Sequence, residues 1–136
     1  MERFGHTPAR GFYEWKTDNL GEKQPYFIYP KDELVFSFAG LYSNWKDVED
    51  YPLYSFTIIT TDANTDMDGI HNRMPVILRR NDEDAWLDPE IVRHEEIAEF
   101  LHPSAEGMLT LHPVSKDVNK PVNNNQNLIH AIENYK

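Results

Sequence analysis

Residues 25–42 read PYFIYPKDELVFSFAGLY. Aromatic and β-branched residues crowd both arms, PYFIYP at 25–30 and LVFSFAGLY at 34–42, with the short polar PKDE between them. Such runs fit a pleated, half-buried surface, so the stretch predicts two strands joined as a hairpin. Outward on the N-terminal side, TDNLGEK (17–23) is rich in Asn, Asp and Gly and reads as a turn. On the C-terminal side, LYSFTIITTDA (53–63) predicts a strand apolar enough to be buried on both faces. NTDMDG (64–69) is loop, and RMPVILRR (73–80) is short and extended, with Pro75 favouring an edge or a strand start.

Beyond residue 80 the pattern changes. NDEDAW (81–86) predicts a short helical piece. Asp88 followed by Pro89 is a helix start, with a capping carboxylate and proline at the first helical position. The expected helix runs through EIVRHEEIAEFL to Leu101, with Ile91, Ala98 and Leu101 as its apolar stripe beside Ile97. Pro103 lies just past its end. GMLTLHPV (107–114) predicts a further strand, and NNNQNLIHAIENYK starts polar and ends weakly helical. Several strands with one or two helices predict a single α+β domain, mostly antiparallel.

The length of 136 residues suits one domain with its own core. The chain has no cysteine, which removes disulfides, thiolate metal sites and a cysteine nucleophile from these residues. No apolar run reaches the 18 or so residues of a membrane span. MERFGHTPAR lacks the apolar core of a secretory signal, so the cytoplasm is the expected compartment. Thirteen Lys and Arg against 23 Asp and Glu give a net charge of −10. A chain of that sign does not coat nucleic acid non-specifically, because backbone affinity comes from cations neutralising phosphates. Any DNA contact has to lie in a local groove.

Most chemistry-bearing motifs are absent. The six glycines are scattered and form no phosphate loop. RHEEIAEFLH resembles a zinc helix only in part: the position four residues after His94 is Ala98, not a second histidine. A metal-dependent hydrolase built on His94, His102 and the acidic helix is therefore disfavoured, and no metal or other cofactor is expected. Two places resist an ordinary surface reading. Glu14 stands within GFYEW (11–15), where burial would raise its pKa and suit it to proton transfer. The alternative is a strand residue pointing to water between inward-facing Tyr13 and Trp15. His71 stands in IHNRMP (70–75), at a loop-to-strand junction beside Arg73, where an imidazole can reach a substrate. The alternative there is a loop histidine bonded to backbone.

Taken together, PARGFYEWK, KQPYFI, FAGLY with a tryptophan shortly after, FTIITTDAN, IHNRMPVIL and VSKDVNKP resemble the SRAP family, the SOS response-associated peptidase or abasic-site processing proteins. The blocks match in order from about Pro8 to Asn123. The resemblance implies a mostly antiparallel sheet or barrel core with one or two flanking helices. It implies a protein that binds single-stranded DNA at an abasic site and becomes covalently joined to it. In the family, a cysteine after the initiator methionine condenses with the sugar aldehyde through its α-amine and closes a thiazolidine ring through its thiol. The methionine is thought to be removed autoproteolytically. Matching blocks make Glu14 and His71 the proton carriers. Thr60, at the end of the expected buried strand, is expected close by, because strand ends and the loops after them gather at one rim, and Trp15 and Arg73 suit stacking on a base and contact with phosphate. The family also carries a long segment before the GFYEW block that supplies the nucleophile, an orienting asparagine and basic DNA contacts. Here residue 2 is Glu2, and Asn44, Asn64 and Asn72 do not match the orienting asparagine. The expectation is a partial SRAP-like domain, inactive in crosslinking alone, that self-associates or pairs with a separately encoded N-terminal half. The competing expectation is a non-catalytic remnant that binds single-stranded DNA or a protein.

Overall fold

The computed structural model describes residues 2–90 and 94–133. Nine strands dominate its regular structure: β1 (Glu2–Ala9), β2 (Phe12–Thr17), β3 (Lys23–Pro30), β4 (Phe36–Lys46), β5 (Pro52–Ile58), β6 (Thr60–Asp62), β7 (Arg73–Pro75), β8 (Ile77–Leu78) and β9 (Leu109–Pro113). One sheet runs β1-β4-β5, with β8 also on β4; a second runs β2-β3-β9; β6 and β7 form a two-stranded ribbon. Every pairing is antiparallel. The fold is α+β, as expected, but no closed barrel forms among the described residues.

The 25–42 stretch forms its two strands, yet they are not a hairpin. β3 pairs with β2 and β9, while β4 pairs with β1, β5 and β8. Residues 31–35 therefore carry the chain from one sheet to the other. The reason is the apolar content of both arms. Tyr26 and Ile28 from β3 meet Phe36 and Phe38 from β4 in one core, together with Met67, Met74, Ile77 and Leu109. Facing sheets bury these side chains against each other, which pairing within one sheet would not do. Phe12 of β2 seals this core, edge-on to Phe36 at 6.4 Å and to Phe38 at 5.7 Å between ring centroids.

A second core lies behind the first sheet. The 3-10 turn Arg80–Asp82 leads into α1 (Glu83–Leu87), the short helical piece expected at 81–86. It delivers Trp86, only 1% exposed, onto Ala39, Val76 and Leu78. Trp86 also lies 4.6 Å from the Phe4 ring and donates its Nε1–H to the Gly5 carbonyl at 2.8 Å. This contact explains β1, which sequence reasoning missed: ERFGHTPA carries Gly and Pro and a weak alternation, but the long edge of β4 supplies it a partner.

Three further expectations change. The helix expected from Asp88 to Leu101 is shorter: α2 spans His94–Ala98, and residues 91–93 of the expected helix, Ile91 among them, lie outside the described residues. Asp88 is extended and accepts the Glu90 N–H at 2.9 Å, so it caps only a turn. The strand expected at 53–63 divides at Ile59 between β5 on β4 and β6 on β7. Far from buried on both faces, β5 is exposed throughout, with Tyr54 71% and Phe56 49% exposed. It is the outer strand of its sheet, and none of the described elements covers it. The tail forms the 3-10 turns Lys116–Asn119 and Gln126–Ile129 and a bridge from Ala131 to Val114; residues 134–136 lie outside the described ones.

Trp86→Ala removes the plug of the second core and leaves the Gly5 carbonyl without its donor. The expected cost is about 3–5 kcal/mol of unfolding free energy, measured by urea denaturation with the melt followed by circular dichroism. A loss below about 1 kcal/mol would show that β1 does not depend on this contact.

Candidate functional site

GFYEW lies at the start of β2, and its glycine has a steric reason. A Cβ on Gly11 would stand 2.4 Å from the Phe27 ring and 2.5 Å from the Ile28 carbonyl oxygen. Only glycine lets the chain enter β2 this close to β3. The register then fixes the faces, because side chains alternate along a strand. Phe12 pairs with Ile28, Tyr13 with Phe27, Glu14 with Tyr26 and Trp15 with Pro25. Phe12, Tyr26 and Ile28 face the core between the sheets. Glu14 shares their face, at its rim, and is half-buried.

This reverses the surface alternative for Glu14. Tyr13 and Trp15 belong to the opposite face, where the Tyr13 ring lies 5.6 Å from Phe27 and 6.5 Å from Trp15. Burial there pushes the Tyr13 phenol pKa up. The aromatics that surround Glu14 on its own face are thus Phe12 and Tyr26, not its neighbours in sequence. Its Oε1 accepts the Trp15 N–H at 3.1 Å, a bond that directs the carboxylate along the strand.

His71 reaches the same place from another element. The loop between β6 and β7 is closed by Ala63 N–H to the Asn72 carbonyl at 3.1 Å. Met67, fully buried, plugs it into the core. The Asp66 carboxylate accepts Gly107 N–H at 2.9 Å and Leu109 N–H at 3.1 Å, and Asn64 Nδ2 donates to the Ser104 carbonyl at 2.9 Å. A loop so tied holds His71 in one position. There the His71 Nδ1 accepts the Arg73 backbone N–H at 3.1 Å. An accepting Nδ1 leaves the proton on Nε2 in the neutral ring. When the ring is protonated, the Arg73 carbonyl, 3.2 Å from Nδ1, can accept instead.

Glu14 and His71 line one shallow cleft of about 500 Å³, with Trp15, Thr17, Lys23 and Asn119. A carboxylate and an exposed imidazole on a single cleft are a proton donor and acceptor pair in form. Arg73 and Thr60 stand beside the cleft and do not line it. They are bound to each other: Arg73 donates to the Thr60 carbonyl at 2.7 Å and to Thr60 Oγ1 at 3.1 Å, and pairs with Asp62 at 2.8 Å. Asp62 is 88% exposed, so that ion pair is weak and a phosphate can compete for the guanidinium. Sequence reasoning missed Asn119, whose Oδ1 accepts the Trp15 Nε1–H at 2.7 Å and fixes the indole. Its signal was membership of VSKDVNKP, but 104 residues separate the two partners. Among the described residues no group of three or more His, Asp and Glu gathers as a metal would need, and none of the helices is long and apolar enough to cross a membrane.

The sequence pattern described as SOS response associated peptidase (SRAP) matches residues 3–121. Abasic site processing protein YoaM of Bacillus subtilis is 42% identical over 124 residues, covering 91% of this chain and 55% of that protein. Abasic site processing protein HMCES of Xenopus tropicalis is 36% identical over 143 residues, covering 91% of this chain and 42% of its own. A crystal structure of a protein from Bacteroides thetaiotaomicron superimposes with a TM-score of 0.88 at 33% identity, covering 96% of this chain and 57% of that one. The chain spans about half the length of the curated relatives it matches.

The geometry of His71 makes a spectroscopic prediction. At alkaline pH, long-range proton–nitrogen NMR of the ring is expected to show the Nε2–H tautomer. A dominant Nδ1–H form would mean that Arg73 N–H does not hold the ring.

Proposed function

Because the chain belongs to the SOS response associated peptidase (SRAP) family, we propose that it serves abasic-site processing by binding single-stranded DNA at the Glu14–His71 cleft. One observation carries this reading: two residues 57 positions apart, on different elements, line the same cleft beside an indole. Trp15 offers a base a ring to stack on. Arg73 offers a phosphate its guanidinium once Asp62 is displaced. An opened abasic sugar presents an aldehyde, and its condensation with an amine needs a base to deprotonate the amine and an acid to expel water. Glu14 suits both steps in turn, and His71 suits proton transfer at the sugar oxygen as the ring opens.

These 136 residues include no cysteine. The thiol that closes a thiazolidine ring in the family mechanism is therefore not supplied by them, and neither is the nucleophile of the associated peptidase step. The chain taken alone is a DNA-binding, proton-carrying portion, and the covalent step needs a thiol from outside these residues. A non-catalytic role in binding single-stranded DNA is the second reading, favoured by the same missing thiol.

The exposed face of β4 and β5 supports a requirement for a partner. Tyr42, Tyr54, Phe56 and Ile58 lie on one side of the sheet, where Phe56 covers Gly40 so closely that a Cβ there would stand 2.7 Å from its ring. A contiguous apolar face of this kind marks an interaction site. A second copy or a separately encoded half covers it in this proposal. Sedimentation velocity is expected to show concentration-dependent association that Phe56→Lys suppresses. A compact monomer at high concentration would count against self-association.

The purified chain, mixed with a single-stranded oligonucleotide bearing one abasic site, is expected to retard it on a native gel and to leave no covalent band without borohydride. Arg73→Glu should weaken retardation by about tenfold. A borohydride-independent covalent band from the wild-type chain, lost in Glu14→Ala, would show that no thiol is needed. Absence of any retardation would overturn the DNA-binding reading.

A further inference from the structure

The sheet face that carries Trp15 carries a second concavity farther along. It measures about 670 Å³, within the range of roughly 300–1,000 Å³ typical of small-molecule sites. Its floor is aromatic. The Phe27 and Tyr29 rings stack at 5.5 Å with 17° between their planes, and His112 meets Tyr29 edge-on at 5.4 Å. His112 Nε2 lies 2.8 Å from the Ile129 carbonyl, which sets that nitrogen as the donor and holds the ring still.

The rim is cationic. Arg10, between β1 and β2, and Lys31, directly after β3, both line the groove and are both exposed. Neither has an ion-pair partner among the described residues. Glu33, the one carboxylate of the lining, lies 3.4 Å from Arg80 in an exposed, weak pair. Two cations against this single carboxylate, beside stacked aromatics and in a chain of net charge −10, make a local site for an anion with a planar ring attached.

Aromatic rings connect this groove to the cleft without a break: Trp15 to Tyr13 at 6.5 Å, Tyr13 to Phe27 at 5.6 Å, and Phe27 to Tyr29. Trp15 pairs with Pro25, four residues before Tyr29 on β3. At ~3.3 Å per residue the track is about 13 Å along the strand, a span that flanking nucleotides can fill. We propose that this groove is a second nucleotide subsite. It takes a stretch of single strand flanking the nucleotide in the Glu14–His71 cleft, with a base on Tyr29 and His112 and a phosphate between Arg10 and Lys31. The inference rests on the reading of the cleft as a single-strand site. Charge complementarity with a polyanion favours nucleic acid over an apolar peptide as the occupant.

The test is fluorescence anisotropy with labelled thymidine oligonucleotides of about four and about twelve nucleotides, at several salt concentrations, on the full chain. Arg10→Glu with Lys31→Glu is expected to weaken the longer oligonucleotide about tenfold and to leave the shorter one unchanged. Its salt slope should fall by about 1.4, the value for two phosphates on a single strand. Tyr29→Leu should weaken the longer oligonucleotide about fivefold without changing the salt slope. Arg10→Gln with Lys31→Gln, and a thermal melt of every variant, separate loss of charge from loss of fold. If these variants bind the longer oligonucleotide as the wild type does while Arg73→Glu weakens both lengths, the groove is not a subsite and the cleft stands. If the wild type binds neither length, both the subsite and the reading beneath it fall.

Discussion

The edge-on packing of Phe12 against Phe36 and Phe38 joins two sheets that share no backbone hydrogen bonds among the described residues. Its energy is partly area, with each ring removing well over 100 Å² from water, and partly geometry, since edge-to-face rings lock the angle between the sheets. The position of Glu14 follows from it. Phe12 must face inward, so Glu14, two residues on, shares its face and emerges at the rim of the core. The same contact aims Tyr13 and Trp15 at the other side, where they begin an aromatic track.

The loop that carries His71 is held by a different means. Met67 anchors it through apolar burial and Asp66 through two backbone N–H bonds to the strand approaching β9. Such bonds are worth more than neutral ones because the acceptor is charged, and they bind the loop to the second sheet rather than to its own ribbon. The cleft is therefore assembled on the second sheet: β2 supplies Glu14, and a loop clasped to the start of β9 supplies His71.

Strand content was legible in the sequence wherever aromatic and β-branched residues ran together, as at 25–30 and 34–42. The partners of those strands were not. A short polar connection favours a hairpin locally, but both arms carry more apolar surface than one sheet face can bury, and facing sheets win. The same limit explains β5: LYSFTI has the composition of a buried strand, and its burial depends on what lies opposite, which local pattern does not encode. The helix expected from Asp88 was legible only in part: the Asp88 carboxylate accepts the Glu90 N–H and caps a turn, and among the described residues the helix holds at His94–Ala98.

The candidate site divides along the same line. Residue identities alone pointed to Glu14 and His71, because a carboxylate among aromatics and an imidazole at a strand junction are costly or useful placements whatever the fold. Position and chemistry added Thr60 at a strand end, Trp15 as a stacking ring and Arg73 as a phosphate contact. Only the tertiary structure decided that Glu14 and His71 line one cleft, that Arg73 and Thr60 hold each other beside it, and that Asn119 fixes the indole. Those relations depend on the register of strands and on contacts up to 104 residues apart. Composition and local pattern act over a few residues, whereas the cleft exists only where the core brings distant segments together.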